Sequence, residues 1–376
     1  MKIAGLTWWR NNYGSILQAY ALQTVMNEFD QIDYEIINQY SEKTASVDNF
    51  FIKIKTLGVK KTFHRVVWKF GTKNLRDRNL AMQKFVDERL KTTKKRYKEE
   101  TMVTANEYYD GFICGSDQIW HPELTALNSI YWLTFVSPGK LKIAYAPSIG
   151  VDQVTQEQKR RIRNNLATFH AVSCREESGC RLISSIMGND DCETVLDPTL
   201  LANRTVWDQI CPPRRFPEKY VFVYLLRGTR QQREFVEAFA HEKHLKIVTM
   251  PFLDHEHVNP YDREFGDIKY WDASPSDFIS VIRHAEVVFT DSFHCMIFSC
   301  IYHRNFYLFP KIGKHQMNRL TDLQAMFRIS DRMLCDGTTL KDLERMVPID
   351  WAVVDKRIME KRMESENYLK KALGIR

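Results

Sequence analysis

The sequence lacks any apolar run long enough to cross a membrane. No stretch of its 376 residues approaches the roughly 20 apolar residues that a transmembrane helix needs. The first apolar residues lead directly into the polar Arg10-Asn11-Asn12, without the longer apolar core of a signal peptide. We therefore expect a cytoplasmic protein. The sequence also lacks internal repeats and low-complexity tracts, which excludes solenoid and fibrous classes.

A CxxC pair is also lacking, although the chain has eight cysteines. Zinc sites usually place two ligands a few residues apart, and a chain of this length does not need disulfide bonds to be stable. We interpret the cysteines as reduced thiols that mostly fill the core. His255 and His257 lack a third ligand at a suitable spacing, so we interpret them as surface residues and expect no metal.

Charge is present in excess but is unevenly distributed. The formal net charge is +7, and residues 51–98 contain 16 Lys or Arg against 3 Asp or Glu. This segment therefore carries +13 and the remainder of the chain −6. We predict helices for it, because its apolar residues recur at helical spacing. Either its basic face is simply solvated or it meets an anionic surface such as a membrane. Nucleic acid is not expected, since no nucleic-acid-binding motif is present.

Alternating strand and helix patterns indicate an α/β protein with two Rossmann-like domains. Residues 2–9, 15–29 and 34–38 read as the β-α-β opening of a parallel sheet. The Pro-rich segment 211–217 interrupts the pattern, and a second β/α series starts at Tyr220. We predict a first domain over 1–210 with the basic insert at 51–98, a second over 211–347, and a C-terminal helix over 348–376 that packs back on the first domain. Ligands would bind in the cleft between the domains, at the carboxyl ends of the strands.

Five segments, in order along the chain, resemble the polysaccharide pyruvyl transferase family. They are Asn12–Gln23, the Gly-Ser-Asp-Gln-Ile-Trp run at 115–120, Ser173–Glu176, Val195–Thr199 and the Thr-Asp-Ser-Phe-His run at 290–294. The resemblance implies a glycosyltransferase-B-like fold. It implies phosphoenolpyruvate as donor and a sugar diol as acceptor, which in this family is often carried on a polyprenyl diphosphate. The product would be a cyclic pyruvate ketal, and no further cofactor is implied. Cys295 departs from the family, in which glycine is common at this position.

His294 and Arg175 are the candidate catalytic residues. His294 lies in the first turn of a predicted helix after a strand, and an imidazole can act as both acid and base near neutral pH. Arg175 follows a strand of the first domain, and its planar guanidinium suits a carboxylate or phosphate. The alternatives are a buried packing histidine and an ordinary salt bridge from Arg175 to Glu176 or Glu177.

The candidate substrate-binding residues share a position just after a predicted strand. They are Asn12, Tyr13, Gly14, Gly115, Ser116, Asp117, Gln118, Ser292, Lys311, Lys314 and Arg319. Asp117 could bind sugar hydroxyls or cap the next helix. We interpret Asp197-Pro198 as a structural turn, whereas Asp291 could orient His294 or merely precede its helix.

Two other functions are compatible with this pattern. One is a nucleotide-sugar-dependent glycosyltransferase on the same scaffold, which would need room for a base and a ribose. The other is a carbohydrate-binding protein without catalytic activity. A pyruvyl transferase instead needs a small, strongly cationic pocket around Arg175 and His294.

Overall fold

The computed structural model of the protein describes residues 1–39, 73–125, 129–252, 260–310, 318–329 and 331–375. Its strands form two parallel sheets, as the sequence predicts. The first contains β1 (Lys2–Leu6), β2 (Asp33–Gln39), β3 (Thr92–Tyr97), β4 (Gly111–Cys114), β5 (Leu141–Ala144), β6 (Ala171–Cys174) and β7 (Cys192–Thr194). The second contains β8 (Tyr220–Tyr224), β9 (Lys246–Thr249), β10 (Ile268–Lys269), β11 (Val287–Thr290) and β12 (Asn305–Leu308).

Helices cover these sheets and connect their parallel strands. They are α1 (Tyr13–Asn27), α2 (Lys73–Arg89), α3 (Pro122–Thr125), α4 (Gln156–Leu166), α5 (Glu177–Met187), α6 (Pro198–Leu201), α7 (Arg204–Ile210), α8 (Arg230–Glu242), α9 (Pro275–His284), α10 (Phe293–Ile301), α11 (Asn318–Phe327), α12 (Leu340–Arg345) and α13 (Trp351–Leu373). Three 3₁₀ helices lie at Glu99–Glu107, Ser129–Trp132 and Pro260–Arg263. No helix of the described residues has both the length and the apolar character needed to span a bilayer.

The strand orders place a switch point in each sheet. They run β3-β2-β1-β4-β5-β6-β7 in the first sheet and β10-β9-β8-β11-β12 in the second. The order reverses between β1 and β4, and again between β8 and β11. Ligands of open α/β sheets bind at such points, outside the carboxyl ends of the strands. Gly14, in the first turn of α1, follows β1, Asp117 follows β4, and His294, in the first turn of α10, follows β11, so the candidate residues lie at the expected edges.

Burial on both faces explains why the central strands are almost entirely apolar. All residues of β4 and β8 are buried, as in parallel sheets that helices cover on both sides. The two sheets also meet directly through α1 and α9. The ring of Tyr13 stacks on Phe278 with centroids 5.1 Å apart, and its hydroxyl donates to the Ala273 carbonyl at 3.0 Å. This contact brings the loop after β1 against the second sheet.

The basic segment differs from its prediction as an all-helical insert. Residues 51–72 lie outside the described residues, and α2 is helical, but Thr92–Tyr97 forms the edge strand β3. Thr93 and Tyr97 are buried while 94–96 are exposed, and threonine and tyrosine favour strands. Exposed Lys and Arg on an edge strand also hinder pairing with another chain. The charges of 94–96 therefore suit an edge strand.

The C-terminal helix α13 contacts the first sheet and its loops. Asp350 caps its start and Gly374, with φ 67°, ends it. The Ser365 hydroxyl accepts from the Leu196 amide at 2.9 Å, and the Tyr368 hydroxyl donates to the Ala144 carbonyl at 2.8 Å. These two bonds connect the end of the chain to β5 and to the loop after β7.

Candidate active site

The centre of the candidate site is the carboxylate of Asp197, in the loop after β7. Its side chain is fully buried. Oδ2 lies 2.9 Å from Nη1 of Arg175, 3.2 Å from Oγ of Ser116 and 3.6 Å from Nε2 of His294. Oδ1 accepts from the amide and the hydroxyl of Thr199, at 2.9 and 2.6 Å. Burial alone would raise the pKa of Asp197, but His294 and Arg175 hold it below its usual range.

Asp197 therefore combines two roles, of which the sequence predicted only the first. Through Oδ1 it caps the short helix α6, as expected of an Asp-Pro turn. Through Oδ2 it faces Arg175 and His294, which sequence reasoning missed. In the sequence, the only indication of this second role is that Asp197 lies in Val195–Thr199, one of the five segments that resemble the polysaccharide pyruvyl transferase family.

Arg175 lies at the end of β6 and is buried between two carboxylates. Its Nε donates to Glu176 and its Nη1 to Asp197, both at 2.9 Å. Burial alone would lower the pKa of Arg175, but these carboxylates raise it above its usual value. The third guanidinium nitrogen, Nη2, is buried and has no hydrogen-bond partner. Arg175 therefore stays charged and keeps one donor available.

A second guanidinium, that of Arg319, lies close to Arg175 around the ring of Phe293. The Cζ atoms of Arg175 and Arg319 are 4.4 and 5.9 Å from the ring centroid, within the range of cation–π contacts. Burial and the charge of Arg175 lower the pKa of Arg319 to about 10. Arg319 is thus still protonated at neutral pH. The positive charges of Arg175 and Arg319 therefore lie near each other in the protein interior.

His294 is held against the first turn of α1. It is the second residue of α10, whose N-cap Ser292 accepts from the Cys295 amide at 3.5 Å. A Cβ atom added at Gly14 would lie 2.0 Å from Nδ1 of His294. The imidazole therefore packs on backbone that only glycine leaves open. Its Nε2 is buried and lies too far from Asp197 for a hydrogen bond.

We predict that Gly14→Ala will displace His294 and lower turnover by at least tenfold while the protein stays folded. The added methyl group occupies the position of the imidazole, and small misplacements of a catalytic group are costly. Steady-state kinetics and circular dichroism measure the two effects. Gly188→Ala is the control, because a Cβ there meets nothing within 4 Å, although its positive φ costs some stability. Full activity of Gly14→Ala would contradict this packing.

The loop after β4 packs closely against the backbone that follows β5. Gly115 has φ 115°, and a Cβ there would lie 2.0 Å from the Tyr145 carbonyl oxygen. Ser116 donates to the Ala146 carbonyl at 2.7 Å. Asp117 does not cap a helix: its Oδ2 accepts from the Ser15 hydroxyl and its Oδ1 from the Gln118 amide. The loop therefore joins the start of α1 to the edge of β5.

Two buried polar atoms beside this loop have no hydrogen-bond partner. They are Nε2 of Gln118 and Oγ of Ser148. A Cβ added at Gly150 would lie 2.9 Å from the first and 3.6 Å from the second, so both side chains point toward the same glycine. Buried polar groups without partners are uncommon in folded proteins. Together they offer a donor and a hydroxyl to a polar ligand.

Other candidates have structural contacts or lie outside the described residues. Asn12 caps α1 by accepting from the Ser15 amide, and Tyr13 is buried in the contact between the sheets. Asp291 does not orient His294, because its carboxylate accepts from the backbone amides of Leu226 and Arg227. Of the residues considered in the sequence analysis, Lys311, Lys314, His255 and His257 lie outside the described part of the chain.

Arg78 was missed by sequence reasoning, which treated the whole basic segment as a surface feature. It is buried, and its Nη2 donates to the Asn11 carbonyl at 3.2 Å. Asn11 has φ 61° in the turn between β1 and α1. The signal available in the sequence was helical spacing, which puts Arg78 on the same side of α2 as the buried residues Leu75, Met82 and Phe85. Arg78 supports the turn that leads to Gly14.

Solved structures with a similar fold include proteins described as UDP-GlcNAc 2-epimerases. UDP-GlcNAc 2-epimerase from Neisseria meningitidis, bound to UDP-GlcNAc, has TM-score 0.53 and 9% identity and covers 99% of each chain. A putative UDP-N-acetylglucosamine 2-epimerase from Listeria monocytogenes has TM-score 0.51 and 9% identity, and covers 98% of this chain and 90% of its own. At this identity the likeness shows the fold alone, which is glycosyltransferase-B-like.

Sequence comparison gives the family. No curated protein matches the chain. The family model described as polysaccharide pyruvyl transferase matches residues 12–310, which include Gly14, Asp117, Arg175, Asp197 and His294. The chain therefore belongs to the polysaccharide pyruvyl transferase family and is a transferase.

Proposed function

We propose that the protein transfers the pyruvyl group of phosphoenolpyruvate to two hydroxyls of a sugar, forming a cyclic ketal and releasing inorganic phosphate. One observation carries the proposal. His294, from the second sheet, and Arg175, from the first, converge on Asp197 with Nε2 and Nη2 buried and without hydrogen-bond partners. Donors of this kind, held in a dry site, suit a small substrate that carries several negative charges.

The donor would bind through its carboxylate and phosphate to the two guanidinium groups. Arg175 is already oriented by Glu176 and Asp197, so little conformational freedom is lost when it binds an anion. Arg319 adds a second positive charge next to Phe293, close enough for the charge of Arg175 to lower its pKa. The N-terminus of α10 contributes the partial positive charge of a helix end. This cluster of positive groups matches the negative charge of phosphoenolpyruvate.

His294 would act as acid and then as base in the first half of the reaction. Protonated Nε2 gives its proton to the methylene carbon of the donor, the neighbouring carbon becomes electrophilic, and the first sugar hydroxyl attacks it. The imidazole then takes the proton of that hydroxyl. In the second half the C–O bond to phosphate breaks, the second hydroxyl forms the new C–O bond, and its proton leaves with the phosphate. Asp197, close to Nε2, stabilises the protonated imidazole.

The acceptor would lie at the carboxyl edge of the first sheet. Gln118 and Ser148 present buried polar atoms without partners there, beside the loop that also holds Ser116. Sugar hydroxyls can both donate and accept hydrogen bonds, and would satisfy these atoms. This arrangement supports a sugar diol as acceptor. A nucleotide-sugar donor would instead need space for a base and a ribose in the same cleft.

A phosphate-release assay tests the function. The full-length protein should release phosphate only when phosphoenolpyruvate and a glycan linked to polyprenyl diphosphate are both present, and the product should carry a pyruvate ketal by mass spectrometry and NMR. UDP-GlcNAc is the comparison donor, because a fold neighbour binds it. Transfer from UDP-GlcNAc with release of UDP, and no ketal from phosphoenolpyruvate, would reject the proposal in favour of a glycosyltransferase.

We also propose that the basic segment brings the enzyme to an anionic membrane on the cytoplasmic side. In its described part the exposed Lys94, Lys95 and Arg96 lie together on β3. A basic residue near an anionic bilayer gains about 1 kcal/mol, so three of them give about 3 kcal/mol. A carrier-linked acceptor in the membrane would thereby be closer to the active site.

We predict that the protein floats with vesicles containing phosphatidylglycerol at 50 mM salt and separates from them at 1 M, where the Debye length falls to about 3 Å. Replacing residues 94–96 by alanine should weaken binding about 100-fold if each gives about 1 kcal/mol. The control replaces three exposed basic residues of the second domain, Arg230, Lys243 and Lys246, by alanine. Equal flotation of the two variants would contradict the assignment to β3.

A further inference from the structure

Three cysteines of one β-α-β unit converge behind the site. Cys174 ends β6, Cys180 lies in α5 and Cys192 begins β7. Their Sγ atoms all lie within 4.8 Å of one another, and the described part of the chain adds no fourth side chain to this group. The spacing of these residues in sequence gives no hint of this arrangement, because it arises from the packing of α5 on two strands.

The fold explains why the thiols face each other. In the parallel pair β6–β7, Cys174 is opposite Thr194 and Val172 is opposite Cys192. Side chains two residues apart on a strand share a face, so Cys174 and Cys192 point to the same side of the sheet. That side is covered by α5, whose buried residues include Cys180. The two strands and the helix therefore each contribute one thiol to the cluster.

The cluster is also accessible from solvent. Cys174 is fully buried, whereas Cys192 is half-buried. Cys180 and Cys192 line a surface cleft of about 430 Å³, together with Glu177, Asn189 and Asp190. An ion could enter through this cleft, and an oxygen ligand could complete its coordination from the same side.

We propose that Cys174, Cys180 and Cys192 form a three-thiolate site for a soft metal ion of the zinc and copper(I) class. Thiolates select such ions, and a site with three protein ligands leaves a fourth position to water. Cys174 directly precedes Arg175, so a bound ion would fix the end of β6 on which that guanidinium is mounted. The site itself does not depend on the proposed reaction.

A disulfide is the competing use of these thiols. Cys174 and Cys192 are diagonal across β6–β7, and strand spacings of about 4.8 Å across and 3.3 Å per residue place their Cα atoms about 8 Å apart. This exceeds the roughly 7 Å limit for a disulfide without backbone movement. A bond between Cys180 and either neighbour would leave the third thiol unused. The proximity of all three thiols therefore fits a bound metal ion better than a disulfide.

Cadmium titration tests the site. Full-length protein, freed of metal by a chelator and kept reduced with a phosphine, should bind one equivalent of Cd²⁺ with a sulfur-to-metal charge-transfer band, and its melting temperature should rise because the ion binds the folded form. Cys192→Ser should weaken binding by more than the 10–100-fold typical of losing an outer-shell partner. Cys335→Ser, which alters an exposed cysteine of the second domain, should bind like the wild type.

Two results would overturn the proposal. One is the absence of a stoichiometric charge-transfer band in the wild-type protein, a measurement that does not depend on whether any variant folds. The other is equal Cd²⁺ affinity of wild type and Cys192→Ser. A Cys180–Cys192 crosslink after treatment with hydrogen peroxide, found by peptide mass spectrometry in protein that binds no metal, would assign the thiols to redox chemistry instead.

Discussion

His294→Asn should lower kcat for ketal formation by about 10²–10⁴-fold, the usual contribution of a positioned general acid or base. Asparagine retains polarity and approximate size, so the packing against Gly14 is largely kept. It cannot take up or release a proton near neutral pH. The KM for phosphoenolpyruvate should change much less, because in the proposed site Arg175 and Arg319, not His294, hold the charges of the donor. Steady-state kinetics with varied phosphoenolpyruvate separates the two parameters.

The matched control is His241→Asn, which changes an exposed histidine at the end of α8. It should retain wild-type kcat. The pH dependence of kcat adds a second readout. The part of the wild-type profile that depends on the imidazole should be absent from the profile of the residual activity of His294→Asn. A loss of kcat below tenfold, with an unchanged pH profile, would remove His294 from proton transfer.

Local patterns predicted the architecture well. Alternating apolar strands and amphipathic helices depend on residues close in sequence, so β1, α1 and β2 could be predicted from the sequence alone. The carboxyl ends of parallel strands share one edge, which predicted Gly14 and Asp117 at the edge of the first sheet and His294 at that of the second, with a cleft between them.

Features that depend on long-range packing could not be predicted. Asp197 was interpreted as a turn residue, because its second contact is made with Arg175 and His294, which are distant in sequence. Arg78 was counted among surface charges, yet the packing of α2 on the core buries it. Thr92–Tyr97 was assigned to a helix, because the pairing partner that makes it a strand is β2. In each case, residues far along the chain decide the environment.

Arg175→Ala should lower the free energy of unfolding by about 3–5 kcal/mol at pH 7, the range found when one partner of a buried ion pair is removed. The variant leaves Asp197 and Glu176 without their guanidinium, with side-chain exposures of 0% and 3%. Phe293 also loses its cation–π contact. Urea unfolding followed by circular dichroism measures the change. Pyruvyl transfer should fall below detection, because the donor loses its best-oriented cation.

The pH dependence has a definite sign. In the wild type the pKa of Asp197 is held below its unfolded value of about 3.9, so this stabilisation is complete above that pH and is lost as the pH falls through the folded pKa. Without Arg175, only His294 and Thr199 oppose the effect of burial, so the pKa of Asp197 lies above its wild-type value and protonation relieves the uncompensated charge on acidification. The stability difference between wild type and Arg175→Ala should therefore shrink steadily from pH 7 to pH 4.

Arg181→Ala provides the control on the neighbouring helix α5. Arg181 pairs with Glu177 four residues away, and both side chains are more than 60% exposed. Exposed pairs of this kind contribute about 0.3–0.5 kcal/mol, so Arg181→Ala should change stability little at either pH. If Arg175→Ala cost no more than Arg181→Ala, or if its cost grew on acidification, Arg175 could not be the cation that balances Asp197. The anion pocket proposed around this pair would then lose its physical basis.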